Sequence, residues 1–538
     1  MARRVLLYDA TLREGAQAAG VSFSLSSRLR VARAIDRMGF DYLEGPFVAA
    51  NPASDAFYAA LAREPLANAK AVAFAMTCRA GERAKDDSLL AAAAAAGTPA
   101  VAIVGKAARR QWQSVLKVSA AENLRMVSES VAFLKAAGKE VFFEAEHFFA
   151  GFKEDPDSAL LVLAAAADAG ADCLVLCDTK GAAMPCDVVK AVEAARGAGV
   201  AVAIHAHNDC GLAVANTLTA LEAGALVAQG TVNGYGERAG GADECVLLPL
   251  LALHGGFTAR AQKEAKRLTA LSRLVDEATG QKPDPRRPFV GSDVFTHKAG
   301  LHVDAVLKAP ETLEAVPPES VGNRRRLVVS DLAGTQATKS KAREMGVTLA
   351  AASAKRILER IEAFERDGYV FEGADASFRL LLEKELGRHK PFFELKGFSV
   401  AVQRQEGKGT PVTVATVKVA VGEESEITAG EGVGPVDALN EAFRRALVRF
   451  YPAAGEVVLE DYNVRILDPE TGTGAKTRVR IDSSDGVRHW GTVGVSDNII
   501  EASWQALADG FEYKLLLDKE AAAARGALRR ARKTKKEK

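Results

Sequence analysis

The stretch VAIHAHND, residues Val202–Asp209, is an apolar run that ends in two histidines. Residues i and i+2 of a strand face the same side, so the imidazoles of His205 and His207 can converge on one point, as two ligands of a metal do. The same spacing also arises by chance, and strand histidines often only form hydrogen bonds. The pair alone leaves both interpretations open.

The opening of the chain favours the metal interpretation. YDATLREGAQ, residues Tyr8–Gln17, follows the apolar run Val5–Leu7 and brings Arg13 and Glu14 together. Two imidazoles and one carboxylate leave coordination positions open, which is typical of a catalytic metal site. The alternative for Arg13 and Glu14 is an ion pair on a surface loop.

The fold follows from the regular alternation around these stretches. Eight short apolar strands alternate with amphipathic or Ala-rich helices up to about residue 255, and the helices commonly stop at glycine. This count predicts an α/β fold, a (β/α)₈ TIM barrel. A doubly wound open sheet is the alternative, but no GxGxxG follows the first strand. The predicted strands are Val5–Asp9, Tyr42–Phe47, Ala71–Thr77, Ala100–Gly105, Val141–Glu146, Cys173–Asp178, Val200–His207 and Leu226–Asn233.

A barrel makes a specific demand on the polar residues. Active sites of such barrels lie at the carboxyl ends of the strands, and strands 7, 8 and 1 are neighbours once the barrel closes. Glu14 is therefore expected beside His205 and His207. Other polar residues at these predicted ends are Glu44, Thr77, Glu144, Glu146, Asp178, Thr179 and Asn233.

Composition changes mark the further domains. We predict the barrel over residues 1–275, a helical linker subdomain that completes the active site over 276–390, an α+β regulatory domain over 391–517, and a basic disordered tail over 518–538. Together these segments make up an α/β barrel followed by a helical linker and a C-terminal α+β domain.

Composition also excludes several classes of protein. The net charge of +1 argues against nucleic-acid binding, and no apolar run is long enough for a membrane span. The opening MARRVLLYDATL is interpreted as a first strand rather than a signal peptide. Six cysteines without CxxC pairs are typical of reduced thiols, so a cytoplasmic location is expected.

Seven stretches carry a family resemblance. Together they run from residue 5 to about 516, and the last is specific to one branch of the family. They are DATLREGAQ (Asp9–Gln17), EVFFEAEHFFAGFK (Glu140–Lys153), LCDTKG (Leu176–Gly181), HAHNDCGLAVANT (His205–Thr217), GTVNGYGERAGGA (Gly230–Ala242), THKAGLHVDAVLK (Thr296–Lys308) and GTVGVSDNIIEASWQAL (Gly491–Leu507). The chain resembles the isopropylmalate, homocitrate and citramalate synthase family of metalloenzymes, and within it the long citramalate synthases with a regulatory C-terminal domain.

The resemblance implies a Claisen-type condensation in which the enolate of acetyl-CoA attacks a 2-oxo acid and the thioester is then hydrolysed. It implies that Glu14, His205 and His207 bind a divalent metal, Mn²⁺, Mg²⁺ or Zn²⁺. Further roles follow from the matched positions: Arg13 supports the keto oxygen, Glu146 and His302 serve in acid–base chemistry, and Thr179, with Gln17, contacts the substrate. Glu144 shares a strand face with Glu146, and an ion pair of either with Lys106 is the structural alternative.

The chain also departs from the family pattern. Gly241 stands where many relatives have an asparagine ligand, and Leu313 stands where a catalytic tyrosine is usual. A leucine side chain cannot donate a proton. Homocitrate-synthase-like members also lack this asparagine. In those members the position of Glu14 is likewise a glutamate.

The predicted activity is therefore the metal-dependent condensation of acetyl-CoA with pyruvate to (R)-citramalate and CoA, in branched-chain amino-acid biosynthesis. A homodimer and an amino-acid effector, isoleucine first, are expected. The alternatives are condensation with another 2-oxo acid such as 2-oxobutyrate or 2-oxoglutarate, a related retro-aldol lyase, and a degenerate effector-binding regulator without catalysis.

Overall fold

A computed structural model describes residues 2–328, 334–404 and 411–536. The chain divides into two compact units. The first comprises Met1–Phe295 and Glu314–Arg325, and the second comprises Thr296–Leu313 and Arg326–Lys538.

The first unit is built around a closed barrel of eight parallel strands. The first strand pairs with both the second and the eighth, so the sheet has no free edge and the open-sheet alternative is excluded. The predicted barrel is confirmed. Its strands are β1 (Leu6–Asp9), β2 (Tyr42–Phe47), β3 (Lys70–Met76), β4 (Ala100–Lys106), β5 (Glu140–Glu146), β6 (Cys173–Asp178), β7 (Ala201–Ala206) and β8 (Val227–Gly230).

Helices surround this barrel, and local capping explains their bounds. Ser24 Oγ accepts the N–H of Ser27 at 3.1 Å at the start of the first helix, and Gly39 ends it with a φ of 84°. The helices are α1 (Leu25–Met38), α2 (Pro52–Arg63), α3 (Ser88–Ala95), α4 (Arg109–Ser114), α5 (Ala120–Ala136), α6 (Phe148–Glu154), α7 (Pro156–Asp168), α8 (Pro185–Ala195), α9 (Ala213–Ala223), α10 (Glu244–His254) and α11 (Leu268–Thr279). A two-residue strand, Arg3–Arg4, pairs with Phe257–Thr258.

The barrel interior is filled by aromatic side chains at one level and carries charge at the next. Tyr8, Tyr42 and Phe142 pack with ring centroids 4.9–5.8 Å apart. The Tyr8 hydroxyl donates to Glu44 Oε1 at 2.8 Å. The aromatic layer of the barrel interior is thus followed directly by a cluster of buried charged residues.

The second unit contains a helical part and an α+β part. Two three-stranded antiparallel sheets are each followed by a helix, and their side chains share one core with those helices. Thr296–His297 pairs with Arg326–Leu327. The elements are α12 (Gly300–Lys308), α13 (Thr335–Glu344), α14 (Ala351–Arg366), α15 (Asp375–Glu385), β9 (Glu394–Gln403), β10 (Val412–Val421), β11 (Glu424–Gly432), α16 (Pro435–Val448), β12 (Val458–Ile466), β13 (Thr477–Ser484), β14 (His489–Ser496) and α17 (Ile499–Lys536).

The structure differs from the prediction at the last segment. Residues 518–538 were expected to form a disordered tail, but α17 continues as far as Lys536. Its first half is fixed by packing of buried residues such as Phe511 and Leu515, and the Ala-, Arg- and Lys-rich sequence that follows has high helix propensity. Among the described residues, no helix combines the length and the apolar character that a membrane span requires.

Candidate active site

The loop after β1 carries Arg13 and Glu14 to the carboxyl end of the barrel. Asp9 anchors this loop, because its carboxylate accepts the N–H of Thr11 at 3.0 Å and the Thr11 hydroxyl at 2.7 Å. Thr11 Oγ1 in turn accepts the N–H of Val232, just beyond β8, at 2.9 Å. These hydrogen bonds therefore hold the loop against β1 and the end of β8, the first and last strands of the barrel.

The structure brings Glu14, His205 and His207 together. One ligand atom from each residue lies within 4.8 Å of the other two, and all three residues are buried. His205 Nδ1 lies 2.9 Å from Gln229 Oε1 on the neighbouring strand. This contact assigns the ring hydrogen to Nδ1 and leaves the Nε2 lone pair of His205 free for a ligand bond.

The protonation states of Glu14, His205 and His207 are those in which these side chains bind a cation. Burial, assisted by the positive charge of Arg13, lowers the pKa of His205. Burial and the neighbouring His205 lower the pKa of His207 to about 4, so both imidazoles are neutral at pH 7. Burial is the largest single influence on Glu14 and opposes its ionisation, but Arg13, the two histidines and the Glu237 N–H together outweigh burial and lower the pKa of Glu14. Two neutral imidazoles and a carboxylate are the forms in which these side chains bind metals.

Arg13 lies at the centre of three buried carboxylates. Its Nε donates to Glu44 Oε2 at 2.7 Å, Nη1 donates to Glu14 Oε2 at 2.7 Å, and Nη2 lies 3.5 Å from Glu144 Oε2. The guanidinium also stacks over the Phe74 ring at 4.3 Å. Every arm of Arg13 is thus fixed, as a group that supplies a stationary positive charge must be.

These residues fit a divalent metal. Arg13 and the carboxylates of Glu14, Glu44 and Glu144 leave a net charge of −2 in a buried cluster when all are ionised, which a dication neutralises. Burial, with the charge of Glu144, raises the pKa of Glu44 to about 8 despite the nearby Arg13, and burial raises the pKa of Glu144 as well. Without a cation Glu44 is therefore largely protonated at pH 7, and a dication would take the place of that proton in balancing the charge. The mixed nitrogen and oxygen donors are compatible with Zn²⁺, Mn²⁺ or Mg²⁺.

Glu146 and Thr179 lie together at the same end of the barrel. Glu146 forms an ion pair with Lys106, the last residue of β4. His147 follows with a left-handed φ of 60°, and its N–H donates to Thr179 Oγ1 at 2.7 Å. Glu144 takes a different position, since its Oε1 accepts Gln229 Nε2 at 3.2 Å. The two carboxylates of this strand face therefore have different partners.

Other predicted residues are at exposed positions. Gln17 is exposed at the end of the short helical turn Gly15–Gln17. His302 is exposed on α12 and Leu313 is 42% exposed, and both belong to the second unit. The roles inferred for Gln17 and His302 stay predictions.

Sequence reasoning missed the contacts of Gln229, Glu44 and Tyr8. A glutamine in an apolar strand next to the predicted histidine strand is a signal that could have pointed to Gln229. Gly241, the position of the missing asparagine, forms a β-bridge with His207. An added Cβ there would meet only the Ala206 carbonyl oxygen, at 3.4 Å.

We expect Gln229→Met to weaken metal binding without unfolding the barrel. The change removes the acceptor that orients the His205 ring, and loss of such a partner typically costs about 10- to 100-fold in metal affinity. Titration with a competing chelator measures the affinity, and the melting temperature of the metal-free protein controls for folding. An unchanged affinity would show that Gln229 does not orient the ligand.

Comparison with known proteins assigns each part of the chain. The HMGL-like family model matches residues 4–275, the homocitrate synthase post-HMGL domain-like model matches residues 289–368, and the LeuA allosteric (dimerisation) domain matches residues 372–515. The first match covers the barrel and every residue of the cluster around Arg13.

Curated relatives match over nearly their whole length. The (R)-citramalate synthase of Synechocystis sp. is 44% identical and covers 95% of this chain and 96% of its own. That of Aquifex aeolicus is 43% identical over 97% of this chain and 99% of its own, and that of Geobacter sulfurreducens is 43% identical over 95% and 97%. Because identity of this level extends through the barrel and both following domains, the chain belongs to the HMGL-like family, in the group that contains the (R)-citramalate synthases.

Proposed function

We propose that this chain condenses acetyl-CoA with pyruvate to give (R)-citramalate and CoA. The observation that carries the proposal is the buried cluster of Glu14, His205 and His207 beside a fixed Arg13, in a chain 43–44% identical to (R)-citramalate synthases. The reaction is an acyl transfer in which the acyl group becomes an alkyl chain.

The chemistry divides among the residues of the barrel. A divalent metal held by Glu14, His205 and His207 would supply a Lewis acid to the ketone of the 2-oxo acid. Arg13 places a fixed positive charge where negative charge develops on the ketone oxygen. Glu146 accepts a proton from the acetyl methyl group, and the released electron pair forms the new carbon–carbon bond to the ketone carbon.

The remaining steps need water and a second acid–base group. Water adds to the thioester carbonyl, the carbon–sulfur bond breaks, and CoA leaves as its thiol. We assign His302 to acid–base chemistry and Thr179 to the carboxylate of the 2-oxo acid. Gln17 is assigned to substrate binding.

The test is release of free thiol from acetyl-CoA in the presence of single 2-oxo acids. Pyruvate is expected to give the highest kcat/KM, with 2-oxobutyrate and 2-oxoglutarate far below it, and the product is identified by chiral chromatography as (R)-citramalate. A higher kcat/KM with another 2-oxo acid would reassign the substrate. Absence of thiol release with the whole panel, in protein loaded with metal, would favour a non-catalytic regulator.

The C-terminal domain extends the proposal to regulation. Its match to an allosteric and dimerisation domain supports a homodimer with an allosteric effector. We propose an amino acid, isoleucine first, as that effector, and a cytoplasmic enzyme of branched-chain amino-acid biosynthesis. An effector must bind one of two states of the enzyme more tightly than the other. Sedimentation of the full chain tests the dimer.

We expect isoleucine to bind the full chain and to lower its activity. Isothermal calorimetry at millimolar isoleucine, with alanine as the control ligand, measures binding, and the thiol assay measures inhibition. No heat with isoleucine, leucine or valine would leave the domain without an amino-acid effector.

A further inference from the structure

Lys106 and Glu146 form a cross-strand ion pair at the carboxyl end of the barrel. They are register partners on the last rung of β4 and β5, and Lys106 Nζ contacts Glu146 Oε2. Each side chain is 22% exposed, whereas the Glu144 side chain, two residues earlier on the same strand face, is 4% exposed. The pair thus lies at the mouth of the barrel, one layer above the Arg13 cluster.

The surrounding backbone holds this pair in place. An added Cβ at Gly151 of α6 would lie 2.7 Å from Ala108 Cα, so α6 packs directly on the segment that follows Lys106. Asn123 Nδ2 donates to the Lys106 carbonyl oxygen at 3.0 Å. His147 keeps its strained left-handed φ and places Nε2 3.7 Å from Glu146 Oε1.

The pair conflicts with the task proposed for Glu146. A carboxylate must offer a lone pair to the carbon-bound proton that it removes. The ammonium of Lys106 engages Glu146 Oε2, so this oxygen is not free to accept a proton while the ion pair persists. Withdrawal of Lys106 would free Oε2 to act as the base.

The 2-oxo acid brings a carboxylate of its own. Other described cations lie at this end of the barrel. Arg13 is fixed by three carboxylates, and Arg238 is held by Asp209 at 2.8 Å and by the Thr179 carbonyl oxygen at 2.9 Å. Lys180, which follows Thr179, is exposed, whereas Lys106 is only 22% exposed. Lys106 contacts one carboxylate, and a lysine is a mobile point charge on a flexible chain. When the substrate carboxylate replaces Glu146 as the partner of Lys106, the ammonium stays paired and Glu146 loses its counter-charge.

We propose that Lys106 binds the carboxylate of the 2-oxo acid, and that its transfer from Glu146 to the substrate releases Glu146 to deprotonate acetyl-CoA. This inference rests on the proposed condensation. Thr179 is linked through His147 to the same pair, so its hydroxyl can donate to the same carboxylate. Lys106 takes part in no proton transfer, and the proton removed from the methyl carbon ends on Glu146.

The mechanism makes enolisation depend on the first substrate. Without a 2-oxo acid, Glu146 stays paired and the methyl protons of acetyl-CoA do not exchange with solvent. Oxamate, an unreactive analogue of pyruvate with the same carboxylate, is expected to switch exchange on. Lys106→Met removes the ammonium, so exchange should proceed without oxamate.

The test therefore combines deuterium exchange with steady-state kinetics on the full-length protein. For Lys106→Met we expect exchange in D₂O without oxamate and a KM for pyruvate raised about 30-fold or more, with the KM for acetyl-CoA within a factor of about 2. Lys106→Arg retains a cation and should restore most of the pyruvate affinity. The matched control is Lys70→Met, since Lys70, the first residue of β3, pairs at 2.6 Å with Glu140, which lies at the opposite end of β5 from Glu146.

Two results would overturn the inference. One is exchange in Lys106→Met that still requires oxamate. The other is a rise in the KM for acetyl-CoA instead of pyruvate, which would place the ammonium on the thioester substrate. Calorimetry of pyruvate binding separates this inference from the proposed function: wild-type protein that binds pyruvate through Lys106 but never condenses it would refute only the latter.

Discussion

Replacing both His205 and His207 by alanine is expected to remove the bound metal and to lower kcat/KM by roughly 1000-fold or more, equivalent to about 4 kcal/mol of transition-state stabilisation. Glu14 alone then remains of the three ligands, and a single carboxylate is too few ligands to hold the ion. The metal content of dialysed protein, measured by mass spectrometry, gives a readout independent of turnover.

The chain offers a matched control for this experiment. His254 is a partly exposed histidine at the end of α10, paired with Glu222 at 2.7 Å and remote in sequence from the cluster. His254→Ala should keep both metal and activity. Stoichiometric metal in the double variant would show that the cation is held elsewhere.

The second large effect is expected at Glu146. Glu146→Gln keeps the size and hydrogen-bonding reach of the side chain but cannot accept a proton, so methyl exchange and condensation should both fall about 10²- to 10⁴-fold. Metal content should change little, because Glu146 is not among the clustered ligands. Pyruvate affinity should not fall, because the change removes the carboxylate that competes for Lys106. Proton exchange followed by NMR of acetyl-CoA measures the step directly.

Glu144→Gln is the decisive comparison. Glu144 contacts Arg13 and Gln229, so its change is expected to act on the charge balance and metal affinity rather than on exchange. Loss of exchange in Glu144→Gln, with exchange retained in Glu146→Gln, would reverse the assignment of the base.

Much of the barrel could be predicted because its signals are local. Apolar runs, helix-ending glycines and an HxH pair on one strand face are each written in a few consecutive residues. The edge strands β11 and β14 were not predicted. ESEITAGEG contains glycine and charged residues, and HWGTVGVS contains two glycines, which strands usually avoid. Their partners in the sheet and the helices packed on them override that weak propensity.

The metal ligands of the candidate site could be predicted from the sequence, but the side chains that orient them could not. Glu14 and the histidine pair follow from strand order in a closed barrel. The contact of Gln229 with His205, and that of Tyr8 with Glu44, depends on side-chain direction and depth in the barrel, which sequence spacing does not give. Lys106 was considered only as an ion-pair partner, because a lysine at a strand end is usually a solvated charge.

The close packing of Gly151 on Ala108 has a consequence for natural variation. The obstacle to a side chain at position 151 is the backbone Cα of Ala108, so no smaller residue at 108 can compensate for a larger one at 151. Related sequences should therefore tolerate exchanges along the outer face of α6 while glycine persists at this one position. A related protein with a larger residue at position 151 would have to hold α6 farther from Ala108. The distance between the Lys106 ammonium and the Glu146 carboxylate would then change as well.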